Sequence, residues 1–301
     1  MSLKAMFKAV HKAKNSTVTG VLDTYLLSLS DTDSDRAIDV NAPSQIGTCL
    51  RSRFYARKGY MRDVNSIDPR SRRVLDNGTY FHIRTQEYLT KSDRLLLDEV
   101  PVVNDFYNIQ GHTDGLLDLN LDNVISVLEL KSINDNNFSK LIAPKPDHVQ
   151  QGLTYVYSIE TRRVDLHSMY NNVDEFLADK KARYEYYASH YQHLKDGRKH
   201  TREEKIQFQC DLHDKADTIL MKCTTPITKV HFVYENKNTQ EIKEFVIDST
   251  DPNNEQKLKG VLDDCLTLNR CCDKDVTPNR EGTSKSCPTC HWCAFKTECW
   301  N

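Results

Sequence analysis

The chain has 301 residues, of which 41 are lysine or arginine and 43 are aspartate or glutamate, giving a formal net charge of -2 at pH 7. A chain of this length can bury about three quarters of its unfolded surface, in one large domain or two. Because it lacks a net positive charge, it must meet any polyanion with a local basic surface. No segment approaches the roughly 18 to 20 apolar residues that span a bilayer, and residues 1–16 lack the pattern of a secretory signal. We therefore expect a soluble, cytoplasmic protein with no membrane partner.

The first part of the chain carries three helical patterns. The segment STVTGVLDTYLLSLS predicts a helix, and a polar loop that ends at Pro43 follows it. Residues 46–60 and 76–89 have apolar or aromatic side chains at intervals of three and four, as amphipathic helices do. We assign residues 1–45 to an N-terminal arm in which we recognise no chemistry.

The next part of the chain predicts strands followed by a helix. The segments RLLLDEVPVVNDFYNIQG and GHTDGLLDLNLDNVISVLELK favour strands, and the second is a hairpin with its polar turn at residues 119–123. After a loop that contains Pro144 and Pro146, the segment DHVQQGLTYVYSIE predicts a helix. Residues 46–160 therefore supply the first part of a core that contains both strands and helices.

The remainder of the chain divides into three segments. Residues 161–225 are highly charged and helix-compatible, which predicts a helical lobe. The segment ITKVHFVYENKNTQEIKEFVIDS alternates apolar and polar residues on both sides of ENKNTQE, which indicates a second hairpin. Residues 226–275 thus supply the rest of the core, as this hairpin and a helix near residues 253–272. Residues 276–301 are rich in cysteine.

Three ionisable side chains, Asp114, Glu129 and Lys131, lie in or beside apolar strand segments. Glu129 and Lys131 share one face of a strand with apolar residues on both faces, so both are half desolvated. Burying an unpaired charge costs several kcal/mol, and direct pairing of Glu129 with Lys131 is one way to avoid that cost. The hairpin also brings Asp114 towards Glu129, and a divalent cation between the two carboxylates is a second way. A divalent cation would supply the Lewis acid and the activated water that phosphodiester hydrolysis requires, and Lys131 would supply a positive charge near the transition state.

Four short blocks in a fixed order contain these residues: GTYFH at residues 78–82, GHTD at 111–114, ELK at 129–131 and QGLTY at 151–155. Their order resembles the GxxxH, GxxD, (D/E)xK and QxxxY motifs of PD-(D/E)XK nucleases of the RecB-like branch. The resemblance implies an α/β fold, the restriction-endonuclease-like core, in which helices flank a central mixed sheet of four or five strands. It also implies a helical lobe and a C-terminal metal-bound cap.

The resemblance assigns a role to each motif residue. The residues that would bind Mg²⁺ or Mn²⁺ are His82, Asp114, Glu129 and Leu130, the last through its carbonyl. Lys131 would activate or position the attacking water, while Gln151 and Tyr155 would support the site and contact the nucleic acid. The expected catalytic residues are thus Asp114, Glu129, Lys131, Gln151 and Tyr155.

The activity implied by the resemblance is metal-dependent hydrolysis of DNA. It favours an exonuclease that prefers single strands or free ends and acts in recombination, repair or CRISPR adaptation, alone, as an oligomer or with a recombination protein. One alternative is a catalytically inactive, metal-stapled DNA-binding subunit of a recombination complex, and another is a zinc-ribbon nucleic-acid-binding protein. A binding protein has no need of the complete catalytic set, so its presence favours the enzyme; that set is His82, Asp114, Glu129 and Lys131.

Ten cysteines in a chain without a secretory signal argue for metal binding rather than disulfides. Four of them crowd the segment CPTCHWCAFKTECW near the end of the chain. This spacing, with one cysteine far upstream, resembles the iron–sulfur subset of RecB-like nucleases, which includes AddB-type subunits and CRISPR-associated exonucleases. The resemblance implies a [4Fe–4S] cluster held by Cys49, Cys290, Cys293 and Cys299. The extra Cys287 departs from that pattern, and the alternative is a Zn²⁺ site formed by Cys287, Cys290, Cys293 and Cys299.

Basic residues outnumber acidic ones between residues 51 and 73, which offers a local surface for the DNA backbone. Aromatic side chains at Phe54, Tyr55 and Tyr60 interleave with them and could stack on unpaired bases, which favours a single-stranded substrate. The side chains expected to contact DNA are Arg51, Arg53, Arg57 and Lys58.

Overall fold

The computed structural model describes residues 17–29, 36–63, 67–197 and 199–301. The expectation about a secretory signal concerns residues 1–16, which lie outside the described residues, as does part of the polar loop. Within the described residues, five strands form one mixed sheet in the order β1-β2-β3-β4-β5. The strands are β1 (Leu95–Asn104), β2 (Ile109–Leu117), β3 (Ser126–Ile133), β4 (Lys229–Asn236) and β5 (Ile242–Asp248). Only the pairing of β3 with β4 is parallel; the others are antiparallel. The predicted α/β class with a mixed sheet is confirmed.

Helices flank the sheet, and a short 3₁₀ helix spans Pro43–Gln45. Those of the first half are α1 (Val18–Ser28), α2 (Leu50–Arg57), α3 (Pro69–Lys91), α4 (Asp135–Ser139) and α5 (Pro146–Met169). Those of the second half are α6 (Val173–Ala178), α7 (Lys180–His190), α8 (Arg202–Lys222), α9 (Pro252–Asp273), α10 (Pro288–His291) and α11 (Lys296–Trp300). Among the described helices, none is both long enough and apolar enough to cross a bilayer.

Strand β3 is covered on both faces, as its apolar pattern predicts. Val127 belongs to the core that helices α5 and α8 close on one side of the sheet. Leu128 and Leu130 point to the other side and pack with Phe81 of α3. Helix α5 approaches the sheet closely, because Gly152 lets its backbone pass where a Cβ would collide with the Phe232 ring. Polar side chains at the end of β3 are therefore enclosed by two layers of helices.

Two helix boundaries differ from the sequence expectation for local reasons. Helix α2 begins at Leu50 rather than near residue 46, because the preceding residues form the 3₁₀ turn and a left-handed Gly47 with φ +84°. Helix α3 begins earlier, at Pro69, where the Asp68 carboxylate accepts from the backbone N–H groups of the first turn. Helix α5 runs to Met169, so it crosses the expected boundary between core and helical lobe.

The helical segment after α5 is tied to the core through one buried carboxylate. Arg162 of α5 donates to both oxygens of Asp217 on α8, at 3.0 and 2.6 Å. The Tyr187 hydroxyl of α7 donates to the same carboxylate at 2.7 Å. This network links helices α7 and α8 to α5, and each of its polar groups has a charged or hydrogen-bonding partner.

The cysteine-rich segment lies against helix α2. Phe54 and Tyr55 of α2 form a small apolar cluster with Leu268 of α9 and Phe295 of the last segment. The backbone N–H of Asp63 donates to the Ala294 carbonyl at 2.7 Å, and the Asp63 carboxylate accepts from Thr297 N at 2.9 Å. This packing carries Cys49, the residue before α2, to the cysteines at the other end of the chain.

Candidate functional site

The sheet forks between β2 and β3, and the motif residues lie at the fork. The ladder between these strands runs from Leu117–Ser126 to Gly115–Leu128. Beyond it, β2 stays paired only with β1 and β3 only with β4. Side chains of β2 then replace the missing ladder bonds. Asp114 Oδ2 accepts from Leu130 N at 2.6 Å, and Thr113 Oγ1 donates to the Leu128 carbonyl at 2.8 Å. The hairpin thus places Asp114 beside the strand that carries Glu129.

A histidine and two carboxylates converge on one side of this fork. Helix α3 presents His82, whose Nδ1 lies 3.1 Å from Asp114 Oδ1. Burial lowers the pKa of His82, but the hydrogen bond and charge of Asp114 outweigh it and raise the pKa above its usual value. Glu99 of β1 completes the group, with all three donor atoms within 4.8 Å of one another. Gln86 orients Glu99, because its Nε2 donates to Glu99 Oε1 at 3.1 Å and to the Asp114 carbonyl at 2.9 Å.

Glu99 is a site residue that our sequence analysis missed. It stands opposite Asp114 in the β1–β2 register and holds a φ of +45°, a left-handed conformation that is rare for a residue with a side chain in a strand. Such a conformation costs about 1–2 kcal/mol and persists where the surrounding structure imposes it, often at functional sites. The sequence gives only a weak signal, since Glu99 is an acidic residue in the apolar strand LLLDEVPVV, and the structure leaves it exposed.

Glu129 and Lys131 form a buried ion pair on the other side of the fork. Lys131 Nζ lies 2.6 Å from Glu129 Oε2. Thr113 Oγ1, whose one proton is shared with the Leu128 carbonyl, lies 3.1 Å from Glu129 Oε1. Burial raises the pKa of Glu129 to about 7, the charge of Asp114 acts in the same direction, and Lys131 opposes both. Direct pairing, the first solution that the sequence offers, is therefore present in this structure.

The QxxxY helix supports this ion pair from above β3. Lys131 Nζ also donates to Gln151 Oε1 at 3.1 Å, and Gln151 Nε2 donates to the Tyr155 hydroxyl at 3.4 Å. Tyr155 is only 3 % exposed and packs in the main core. The expected contact of Tyr155 with nucleic acid is therefore not available in this structure, and Tyr155 positions Gln151 instead.

The donor set at the fork fits a hard divalent cation. Imidazole nitrogen and carboxylate oxygens are the ligands that Mn²⁺ accepts, and Mg²⁺ prefers the oxygens among them. Of the expected ligands, His82 and Asp114 lie together with Glu99, whereas both oxygens of Glu129 are engaged by Lys131 and Thr113. The candidate centre visible at the fork is thus His82, Glu99 and Asp114.

The cysteine set forms a second candidate centre. Four thiols line one cavity, and they are Cys49, Cys290, Cys293 and Cys299. None of them is in a disulfide, and Cys287 does not line the cavity. The buried indole N–H of Trp300, on the same cavity wall, lies near the thiol of Cys290 and has no partner at full hydrogen-bonding geometry among the described residues. The cavity therefore has the composition of a thiolate metal site with an N–H donor directed towards sulfur.

The thiols are spread more widely than those around a single zinc ion. Sulfurs around one zinc lie about 3.8 Å apart, given a Zn–S bond of roughly 2.3 Å. Among the described residues, no three cysteine sulfurs lie within 4.8 Å of one another. As they stand, the thiols are therefore farther apart than the sulfurs of a closed zinc site.

The basic residues expected to contact DNA are mostly engaged within the protein. Arg53 is 3 % exposed, and its guanidinium donates to Asn41 Oδ1 at 3.0 Å and to Cys265 Sγ at 3.6 Å. Phe54 and Tyr55 are also buried. These three side chains were expected to face DNA, but in this structure they are buried, because α9 and the last segment cover the face of α2 that carries them.

The other basic residues of the segment are partly accessible. Arg57 Nη1 donates to Asn269 Oδ1 at 2.6 Å, and Lys58 Nζ pairs with Asp275 at 2.7 Å. Arg51 is half-buried and donates to the Tyr55 hydroxyl at 3.0 Å. Any contact of these side chains with a phosphate has to compete with such partners.

The chain matches no protein-family model, and no curated protein matches it either. The class that the fold and the site define is an α/β protein with a histidine–carboxylate group at a sheet fork and a separate thiol-lined cavity. A functional assignment has to be argued from those two places.

Proposed function

We propose that the protein is a Mg²⁺- or Mn²⁺-dependent deoxyribonuclease of the PD-(D/E)XK superfamily, similar to the RecB-like branch and acting on single strands or DNA ends. The observation that carries the proposal is the convergence at the fork. His82 Nδ1 lies 3.1 Å from Asp114 Oδ1, in a group with Glu99, and the half-buried Lys131 stands on the neighbouring strand. A cation site next to an ammonium is what cleavage of a phosphodiester bond requires.

The cation would be held by the residues that the motifs name, with one addition. These are the side chains of His82, Asp114 and Glu129, the Leu130 carbonyl, and Glu99. A bound cation supplies Lewis acidity and an activated water. Glu99 strengthens the fit, because it adds a third donor to two that already meet at hydrogen-bonding distance.

The remaining residues hold a positive charge where negative charge develops. Burial lowers the pKa of Lys131, but the charges of Glu129 and Asp114 outweigh it, so the ammonium stays protonated. Gln151 fixes that ammonium and is itself fixed by Tyr155. An ammonium group that is already fixed in an enclosed site stabilises the negative charge of the transition state without reorganisation during the reaction.

The same proposal assigns a [4Fe–4S] cluster to Cys49, Cys290, Cys293 and Cys299. Its support is that these four thiols, and not Cys287, line one cavity. The cluster would staple the last segment to helix α2 and act as a structural cap on a restriction-endonuclease-like core, with no part in the cleavage step.

The test is a cleavage assay on protein purified anaerobically. End-labelled single- and double-stranded DNA is incubated with Mn²⁺ and with wild type, Glu129→Ala, Lys131→Ala or the exposed-lysine control Lys91→Ala. We expect wild type and the control to degrade the single strand, and both site variants to lose at least about 100-fold in rate. Iron, sulfide and zinc are measured on the same samples.

Three outcomes would count against the proposal. Full activity in both Glu129→Ala and Lys131→Ala would remove these residues from the chemistry. An inert wild type that still binds DNA would favour the inactive DNA-binding subunit, and zinc without iron would favour the zinc-ribbon protein.

A further inference from the structure

A groove of about 300 Å³ adjoins the cysteine cavity. Its walls come from the turn before α2 and from the segment around α10. Cys49, Ser52, Thr289 and Cys293 line both the groove and the cavity. The groove lies at the small end of the range for ligand sites, and it contains no part of the fork.

One wall of the groove carries an unusually exposed indole. Trp292 is 88 % exposed, whereas tryptophan side chains normally bury most of their large apolar area. The second tryptophan, Trp300, is partly buried, and the guanidinium of Arg280 lies 4.7 Å from its ring centroid. The ring contact recorded for Trp292 is edge-to-face with the adjacent His291 at 4.5 Å. Its indole surface is therefore open to a planar ligand.

The charge of the groove is one-sided. Among the described residues that line it, there are two arginines and no aspartate or glutamate. Arg53 is already bonded to Asn41 and Cys265, as described above. Arg62 is exposed and forms no ion pair within the described part of the chain. A ligand with a flat ring and a nearby negative charge matches this combination.

We propose that the groove binds an unpaired nucleotide of single-stranded DNA, with the base stacked on Trp292 and the phosphate paired with Arg62. The proposal rests on the proposed function in one respect, because it names the strand form that reaches the fork as substrate. Stacking on an aromatic side chain requires a free base face, which a duplex does not offer. The groove therefore selects for a single strand, next to the segment that the cysteines hold.

The test is a binding measurement without cleavage. Full-length protein, purified anaerobically and kept in EDTA, is titrated into a fluorescently labelled 12-residue oligodeoxythymidylate and into a fully abasic strand of the same length. We expect wild type to prefer the intact strand. Trp292→Ala should weaken binding of the intact strand about tenfold and leave the abasic strand unchanged, because only the base stacks. Trp292→Phe should restore most of the preference.

Two further variants sharpen the reading. Arg62→Ala should weaken both strands equally and reduce the salt dependence of binding, since a phosphate contact ignores the base. Phe106→Ala removes another exposed aromatic side chain, 72 % exposed in the β1–β2 turn, and should change neither affinity. Iron content of each variant shows whether the last segment is intact.

Three results would overturn the proposal. These are equal loss of both strands in Trp292→Ala, no loss of either strand, or a wild-type preference for blunt duplex. Because the readout needs no divalent cation, an inactive fork would not change it. Active cleavage together with unchanged binding by Trp292→Ala would remove the groove proposal and leave the nuclease proposal in place.

Discussion

The fork of the sheet and the cysteine cavity hold their polar groups in opposite ways. At the fork, Asp114 accepts from Leu130 N, and Glu129 is bonded by Lys131 and by Thr113. The residues come from long, regular elements that pack on both faces of the sheet. The fork is thus a satisfied arrangement even without a cation, as preorganised sites tend to be.

The segments that form the cysteine cavity have little stability of their own. Helices α10 and α11 have four and five residues, far below the length at which a helix is stable alone. The thiol of Cys293 reaches Ser52 Oγ at 3.7 Å across a sequence separation of 241 residues. We therefore expect loss of a bound metal to change the stability of the fold little at the fork and greatly at the cavity.

The largest expected effect is therefore the loss of a cavity thiol. Cys290→Ser should lose bound iron and lower the free energy of unfolding by on the order of 5 kcal/mol, because metal binding and folding are coupled in such segments. Iron analysis and urea denaturation measure the two effects. Cys287→Ser is the comparison, since that thiol lies beside Cys290 but does not line the cavity. Loss of zinc, rather than iron, in both variants would instead indicate one zinc site that includes Cys287.

A smaller but substantial effect is expected at Arg53, which joins helix α2 to α9. Arg53→Ala should lower the free energy of unfolding by about 3 kcal/mol, because it removes a buried charged donor and leaves Asn41 Oδ1 without its hydrogen-bond donor. The control is Lys58→Ala, which breaks an exposed ion pair and should leave stability unchanged. Unchanged stability of Arg53→Ala with weaker DNA affinity would show that this side chain faces DNA after all.

Substitutions at Asp114 test whether the hydrogen bonds of the fork stabilise the protein without a bound cation. In EDTA, Asp114→Ala should lower the free energy of unfolding by about 1–3 kcal/mol, because it leaves the buried Leu130 N–H unpaired. Asp114→Asn retains an acceptor oxygen and should cost less. Thermal or urea unfolding of the two variants measures the difference. Equal losses in both would mean that the hydrogen bond contributes nothing and that charge alone matters.

The positions of the motif residues on their elements could be predicted, because spacing along a regular helix or strand fixes them. His82 lies on α3, Asp114 on β2 and Gln151 on α5, as the patterns indicate. The side of helix α2 that would be covered could not be predicted, since α9 and the last segment, distant in sequence, cover Arg53 and its aromatic neighbours. Glu99 was missed because its place depends on the fork and on a left-handed backbone, which no periodicity encodes.

The smallest effect concerns Glu99 and decides which carboxylate serves the cation. Glu99→Gln keeps the size of the side chain and removes its charge, so Mn²⁺ affinity, measured by calorimetry or electron paramagnetic resonance without DNA, should fall about tenfold, or 1.4 kcal/mol. Asp98→Asn is the matched control, because Asp98 is the exposed neighbour on the same strand and lies outside the group of donors. Unchanged affinity in Glu99→Gln, with loss in Asp114→Asn, would place the cation between Asp114 and Glu129. That result would require Lys131 to release Glu129 on metal binding. The structure of the fork would then depend on its bound cation, as we expect the structure of the cysteine cavity to depend on its bound group.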